Sequence, residues 1–302
     1  MPKLLVIIVT YNAIRWVDRC FDSLRSSSVK PDVFVVDNGS TDGTQKYVQQ
    51  HFPEVIFQQS AENLGFGRAN NLGLQYALDN RYDYVYLLNQ DAWIFPDTFE
   101  TLVDISKRYP EYGIISPLQM NSDLYHIDVN IIQNTCSWYS NKDLLNDMYN
   151  NNLSEIYTVG FVMAAHWLIP CSVLRKLGGF SPSFPHYGED GNYIDRVKWH
   201  KFKVGLAPLI KVVHDRGWRE EPKKKKLHIR YVTNIMRISN PNVSIFKSSL
   251  MALLFTFRNS IELKSFRPYW DGIRIILHIT DIIKNRKISV NGNCAFMTLK
   301  TE

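Results

Sequence analysis

Three short polar segments in this chain are placed to do chemistry. Thr10-Tyr11-Asn12, Asp37-Asn38-Gly39-Ser40-Thr41-Asp42-Gly43 and Asn89-Gln90-Asp91 each follow directly on an apolar run rich in β-branched or aromatic residues. An apolar run that stops at Asp or Asn reads as a buried strand delivering polar groups to one edge of a sheet. In open α/β sheets that edge is where ligands bind. Asp and Asn also cap helices and form turns, and Asp42, just ahead of a helical segment, suits that role equally well. Two phosphate-binding signatures are missing. No GxxxxGK[ST] occurs, and Gly65-Phe66-Gly67 opens like GxGxxG but has Asn70 where the third glycine belongs. A P-loop is excluded and a dinucleotide fold is not expected.

The elements that must carry these segments follow from periodicity. Lys3–Thr10, Val33–Val36, Val55–Phe57 and Tyr84–Leu88 read as strands. Between them Ile14, Val17, Phe21 and Leu24 mark one amphipathic helix, Lys46–Gln50 a second, and Ala69, Leu72, Gly73, Tyr76 and Ala77 a third. Strands alternating with helices predict a mostly parallel sheet covered on both faces. From Leu118 to Ile156 the pattern weakens, and the Asn- and Asp-rich stretch Ser137–Asn152 reads as a loop. Val159–Ile169 reads as a strand, Gly178-Gly179 as a turn, Asp190–His200 as a helix, and Val204–Ala207 and Ile210–Val213 as two short strands. Beyond Gly217 the pattern is helical, near Leu227–Ile238, Ile245–Phe257 and Tyr269–Ile283, with Lys223–Lys226 and Pro241 as punctuation.

Five segments, in this order, resemble family 2 inverting glycosyltransferases of the GT-A fold. They are Val9-Thr10-Tyr11-Asn12, Val36 through Gly43, Asn63 through Gly73, Asn89-Gln90-Asp91, and Gly178-Gly179-Phe180 with Tyr187-Gly188-Glu189-Asp190. Val213-His214 matches the family's late histidine, so the likeness spans about residues 3–216. The second and third segments are most similar to the bacterial rhamnosyltransferase-like branch. The resemblance implies that Thr10, Asn12, Asp37, Asn38, Asn89 and Gln90 surround the nucleotide, with Asp37 on the base or ribose and Arg68 on the diphosphate. A departing nucleoside diphosphate needs its charge neutralised, normally by Mn²⁺ or Mg²⁺. The resemblance places that ion on Asp91 and His214; the family's Asp-x-Asp motif has Asn89 in place of its first carboxylate here. By the same likeness Asp190 is the general base, with Glu189 orienting it or the acceptor. An acidic pair at a helix start also has a plain electrostatic explanation.

Composition bounds the rest. The 302 residues are 45% hydrophobic and 21% charged, a globular composition. Cys20, Cys136, Cys171 and Cys294 form no CxxC pair, so free thiols of a reducing compartment are expected rather than zinc or disulfides. The apolar start is too short for a signal peptide, and no stretch of eighteen apolar residues follows. The expected location is cytoplasmic, free or held on the inner face of the cell membrane. Residues 1–195 carry 13 Lys and Arg against 22 Asp and Glu, a net −9, whereas residues 196–302 carry 22 against 7, a net +15. Basic, aromatic-rich helices favour anionic membrane surfaces. An interface between copies of the chain and a solvated helical cap are competing explanations, and nothing accompanies the charge that would recognise nucleic acid.

The sequence therefore predicts an α/β protein: a GT-A-type mostly parallel sheet flanked by helices, with a basic α-helical C-terminal extension. Residues 1–216 form the catalytic domain (1–117 nucleotide-binding half, 118–216 acceptor half) and 217–302 the extension. The expected activity is transfer of a hexose, rhamnose foremost, from a dTDP- or UDP-sugar to a hydroxyl of a surface polysaccharide or lipid-linked glycan. A non-catalytic glycan- or nucleotide-binding relative and a sugar nucleotidyltransferase are the alternatives.

Overall fold

Strand and helix alternate through the first half as the periodicity predicts. The computed structural model describes residues 2–135, 141–184, 186–216 and 222–298. In it β1 (Leu4–Thr10) leads through α1 (Val17–Arg25) to β2 (Asp32–Asp37), then α2 (Thr44–His51), β3 (Ile56–Gln59), α3 (Gly65–Asp79) and β4 (Tyr84–Asn89). These four strands are parallel, in the order β3-β2-β1-β4, because a helical crossover returns each strand in the same direction. β1 is apolar throughout because both its faces are covered. Leu5 and Ile7 enter one core, and Leu4, Val6 and Ile8 enter the other. α3 lies so close to β1 that a Cβ on Gly73 would fall 2.6 Å from Ile7 Cγ2.

Next come β5 (Ala92–Trp93), α4 (Thr98–Arg108), β6 (Tyr112–Met120), α5 (Val129–Asn134) and α6 (Lys142–Tyr149). They are followed by β7 (Tyr157–Thr158), β8 (His166–Pro170), α7 (Cys171–Leu177), α8 (Glu189–Trp199) and β9 (Lys203–His214). Here the sheet becomes mixed. β8 is antiparallel to both β4 and β6, β9 is parallel to β6, and β5 and β7 are antiparallel to β9. The strand expected over Val159–Ile169 is regular only from His166. The two short strands expected near 204–213 are one strand, interrupted where pairing jumps from Ala207 to Lys211. Pro208 lies in that bulge, where its missing N–H removes nothing from the ladder. The loop expected after Leu118 contains two helices, α5 and α6, started by the side chains of Asp128 and Asn141. Residues 137–140 of that loop lie outside the described residues.

Four helices follow: α9 (Lys223–Ser239), α10 (Ile245–Glu262), α11 (Arg267–Leu277) and α12 (Ile279–Asn291). Lys223–Lys226 open α9 rather than punctuating it, and the third expected helix is divided at His278. They share a small core of their own, with Val232, Ile235 and Ile238 from α9 against Ala252, Ile275 and Ile282. The chain then returns to the α/β body, where the Gly179 N–H donates to Ala295 O at 2.9 Å. Cys20, Cys171 and Cys294 are free and buried, and Cys136 lies outside the described residues.

Candidate active site

The strand register places the three polar segments side by side. Thr10 is opposite Asp37, and Val9 is opposite both Val36 and Asn89, so β1, β2 and β4 end at one level. Asp37 is wholly buried. Its carboxylate accepts from Thr10 Oγ1 at 2.8 Å, Ser40 Oγ at 2.6 Å, Ser40 N at 2.9 Å, Gly39 N at 3.1 Å, Gln45 Nε2 at 3.1 Å and Gln59 Nε2 at 3.0 Å. Burial works against its charge, but these donors outweigh burial and hold the carboxyl below the ordinary value. Both its oxygens are bonded by the protein, so Asp37 holds together the loop that the resemblance places around the base or ribose.

The neighbouring amides and hydroxyls extend this scaffold. Asn38 Oδ1 accepts from Leu64 N and its Nδ2 donates to Gly65 O, both at 3.3 Å, which ties β2 to the start of α3. Asn12, at φ 51°, accepts from Thr41 N at 2.8 Å. Asp42 takes N–H groups from Ile14 and Thr44, so it joins two loops in the turn role open to it from sequence, while Gly43 is the N-cap of α2. Gln90 clamps the Tyr11 backbone through both ends of its amide, at 2.7 and 3.2 Å. Arg68 is exposed one turn into α3, with Nε bonded to Leu64 O.

A cleft of about 280 Å³ opens beside these loops, lined among others by Phe66, Asn89, Glu189, Asp190, His214 and Arg216. His214 ends β9 nearly enclosed. Its Nδ1 is 3.1 Å from Asp128 Oδ2 and its Nε2 is 3.6 Å from Asp91 Oδ1. Burial alone would discharge the imidazole, but the two carboxylates raise its pKa to about 9, while His214 in turn holds both carboxyls down. Across the cleft stand Glu189 and Asp190 at the start of α8. Burial and then the Asp190 charge push the Glu189 carboxyl up to about 7, and its Oε2 is enclosed without a hydrogen-bond partner. Burial also raises Asp190, whose Oδ1 accepts from Gly191 N at 2.8 Å.

The loop before α8 turns at Gly188, where φ is +81° and a Cβ would lie 2.4 Å from Val232 Cγ1. α9 thus presses directly on the acidic pair's loop. From the other side Asn71 of α3 grips the Phe180 backbone, accepting its N–H at 2.7 Å and donating to its carbonyl at 2.9 Å. Asn89, Glu189, Asp190 and His214 therefore meet in one cleft, with Asp91 joined to it through His214. Thr10, Asn12, Asp37, Asn38, Gln90 and Arg68 are not part of the cleft lining. Asp128 and Arg216 escaped the sequence reading, and Asn71 entered it only within the Asn63–Gly73 segment, without a role of its own. Asp128 left a signal, a capping Asp two residues ahead of Asn130.

Among the described residues no group of three or more His, Cys, Asp or Glu is placed to hold a metal. Mg²⁺-type ions are commonly held by one or two carboxylates plus substrate phosphates. Asp91, partly exposed beside the cleft, fits that mode. His214 is protonated in this arrangement and is Asp91's ion-pair partner; it would have to lose a proton before it could ligate.

Comparison with known proteins agrees with this geometry. Residues 5–178 match the family model for glycosyl transferase family 2. An N-acetylglucosaminyl-diphospho-decaprenol L-rhamnosyltransferase of Mycobacterium tuberculosis is 33% identical over 233 residues, covering 70% of this chain and 76% of its own. A low-salt glycan biosynthesis hexosyltransferase of Haloferax volcanii, Agl10, is 25% identical over 87% of both chains. The structure of Staphylococcus aureus TarS residues 1–349 in complex with UDP-GlcNAc superposes with a TM-score of 0.56 at 14% identity, over 95% of this chain and 83% of that one, a likeness of fold. With the family model covering more than half of the chain, this protein belongs to glycosyl transferase family 2.

Proposed function

We propose that the cleft transfers a sugar from a nucleoside diphosphate to a hydroxyl of a lipid-linked glycan with inversion, the donor being dTDP-rhamnose. The observation that carries this is the opposition, across one cleft, of the Asn89–Asp91–His214 strand ends and the Glu189–Asp190 pair. The rhamnosyl donor and lipid-diphosphate acceptor draw their support from the mycobacterial relative, whose name states both a rhamnosyl transfer and a decaprenyl diphosphate.

The chain's own groups divide the work. The Thr10–Asp37–Ser40 network and the Asn38 clamp keep the β1 and β2 loops rigid as the nucleotide's wall. Asp91 would hold a Mn²⁺ or Mg²⁺ ion, which supplies positive charge to the diphosphate leaving group. Arg216, on the cleft rim, adds fixed positive charge near both Asp91 and Asp190. The acceptor oxygen attacks the anomeric carbon from the face opposite the nucleotide. As that C–O bond forms, the bond to the diphosphate breaks and its electron pair leaves with the nucleotide, while the hydroxyl proton passes to the Asp190 carboxylate. Burial raises the proton affinity of Asp190, which suits a base working near neutrality. Glu189, with its proton affinity raised to about 7, orients the acceptor beside it.

A thermal-shift panel of dTDP, UDP and GDP, with and without Mn²⁺, on wild type and Asp91→Ala tests this reading. Stabilisation by dTDP that depends on Mn²⁺ and on Asp91 is expected, since a ligand that binds only the folded state raises its apparent stability. A shift with none of the nucleotides would contradict it.

A further inference from the structure

Helix α10 is turned inside out. A helix on the surface of a protein in water ordinarily buries its apolar stripe and exposes its polar one. α10 exposes Phe246, Leu250, Leu253, Leu254, Phe257 and Ile261, which at spacings of three and four form one continuous stripe. Its inward side is Ser248, Ala252, Thr256 and Ser260, each four residues from the next, with Asn259. The three hydroxyls bond back to carbonyls of their own helix at 2.9 to 3.2 Å, and Asn234 of α9 donates to Thr256 Oγ1 at 3.0 Å. Small residues every fourth position facing other helices, with large apolar ones facing out, is the pattern of a helix whose surroundings are lipid.

α11 continues the outer surface. Tyr269, Trp270, Ile273, Ile276 and Leu277 are exposed at the same spacings, and the Phe257 and Tyr269 rings join the two stripes at 6.5 Å. Fourteen of the twenty-two exposed large apolar side chains among the described residues fall within 245–277, and the other eight are spread over the α/β body. An apolar patch so concentrated is a contact surface.

Charge selects the occupant. Residues 222–298 carry fourteen Lys and Arg against three Asp and Glu, a net +11. Of the acidic residues on α10 and α11, Glu262 is held by Arg258 at 2.5 Å, and Asp271 lies 3.9 Å from Arg267 and 4.0 Å from Arg274. Those two loosely paired arginines line, with Phe266 and Trp270, a shallow groove of about 480 Å³. The face itself, residues 245–277, carries five Lys and Arg against two Asp and Glu, a net +3 within that +11 region. Two copies meeting through it would bring like charge together, whereas an anionic bilayer offers both apolar depth and negative headgroups. No helix among the described residues is long and apolar enough to cross a membrane, which suits helices that lie in the plane of an interface.

We infer that α10 and α11 form an in-plane docking surface for anionic lipid, with the exposed stripes entering the acyl boundary and Lys247, Arg258, Lys264, Arg267 and Arg274 at headgroup level. α9 links this surface to the cleft, since Val232 and Met236 press on Gly188 and Gly191 while Asn234 bonds α10. The inference does not rest on the transfer reading, and its test uses neither donor nor acceptor.

The test is flotation of the full chain with vesicles of phosphatidylcholine alone or mixed with phosphatidylglycerol. Wild type is expected to float with the mixed vesicles, at least tenfold less with phosphatidylcholine, and less as salt rises. Leu253→Ser/Phe257→Ser/Trp270→Ser should lower the affinity at least tenfold. Lys247→Gln/Lys264→Gln should lower it about fivefold per charge removed, the equivalent of about 1 kcal/mol each. Far-UV circular dichroism should be unchanged in both variants, because every substituted side chain is exposed. The inference is overturned if wild type does not float, if the triple variant floats equally well, or if wild type sediments as a dimer that the triple variant converts to a monomer without any vesicle binding.

Discussion

The ends of β1, β2 and β4 and the face of α10 depart from ordinary burial in opposite directions. At the strand ends the protein encloses charge: Asp37 takes six donors in the core, and His214 stands as a cation between Asp91 and Asp128. On α10 it encloses small polar side chains and exposes large apolar ones. Buried charge is tolerated in the first region because Asp37 is hydrogen-bonded and His214 is ion-paired with Asp91 and Asp128. Among the described residues nothing covers the exposed hydrocarbon in the second. The strand ends are therefore satisfied from within the α/β body, while the faces of α10 and α11 are not.

Substitutions in the two regions should differ in cost accordingly. The largest stability effect is expected at Asp128. Its removal leaves a nearly enclosed imidazolium with one partner fewer and strips α5 of its cap, so Asp128→Ala should cost about 3–5 kcal/mol by urea unfolding. The pH dependence of stability comes next. His214 has its pKa raised from 6.5 to about 9 by folding, so its contribution is complete below 6.5 and is lost as pH rises through 9. That is roughly 3 kcal/mol of slope, visible as a falling Tm over this window and absent in His214→Gln.

A matched pair addresses both regions. Leu87→Ala, wholly buried in the core on one face of the sheet, should cost roughly 3 kcal/mol, whereas Leu253→Ala, 66% exposed on α10, should change stability by less than about 0.5 kcal/mol. Between them lies Ala252→Leu. It overfills the small-residue stripe where α10 meets α9 and should cost about 1–3 kcal/mol. Equal costs for Leu87→Ala and Leu253→Ala in denaturation would abolish the contrast.

Much of this was legible in the sequence, for physical reasons. Apolar runs ending in Asp or Asn specify buried strands that stop at one edge, and β1, β2 and β4 do so within a residue or two of expectation. Glu189 and Asp190 are adjacent in sequence, so their shared place needed no tertiary knowledge. The partnership of Asp128 with His214 did need it, because the two come from distant elements and meet only when β9 reaches the start of α5. Asp37 was visible as a polar residue ending a strand, but its inward orientation depends on where Gln45 and Gln59 fall. The helical period of α10 was visible too. Periodicity gives a helix two faces and does not say which one the neighbouring helices cover.

The proposed role of Asp190 as the base of a sugar transfer stands or falls on turnover and nucleotide affinity, measured together for wild type and Asp190→Asn with dTDP-rhamnose and a lipid-linked acceptor. Asn, nearly the same size but unable to take the proton, should lower kcat by about 10²–10⁴ while dTDP affinity stays within about twofold. Wild-type turnover in Asp190→Asn, with its fold and nucleotide affinity intact, would contradict it.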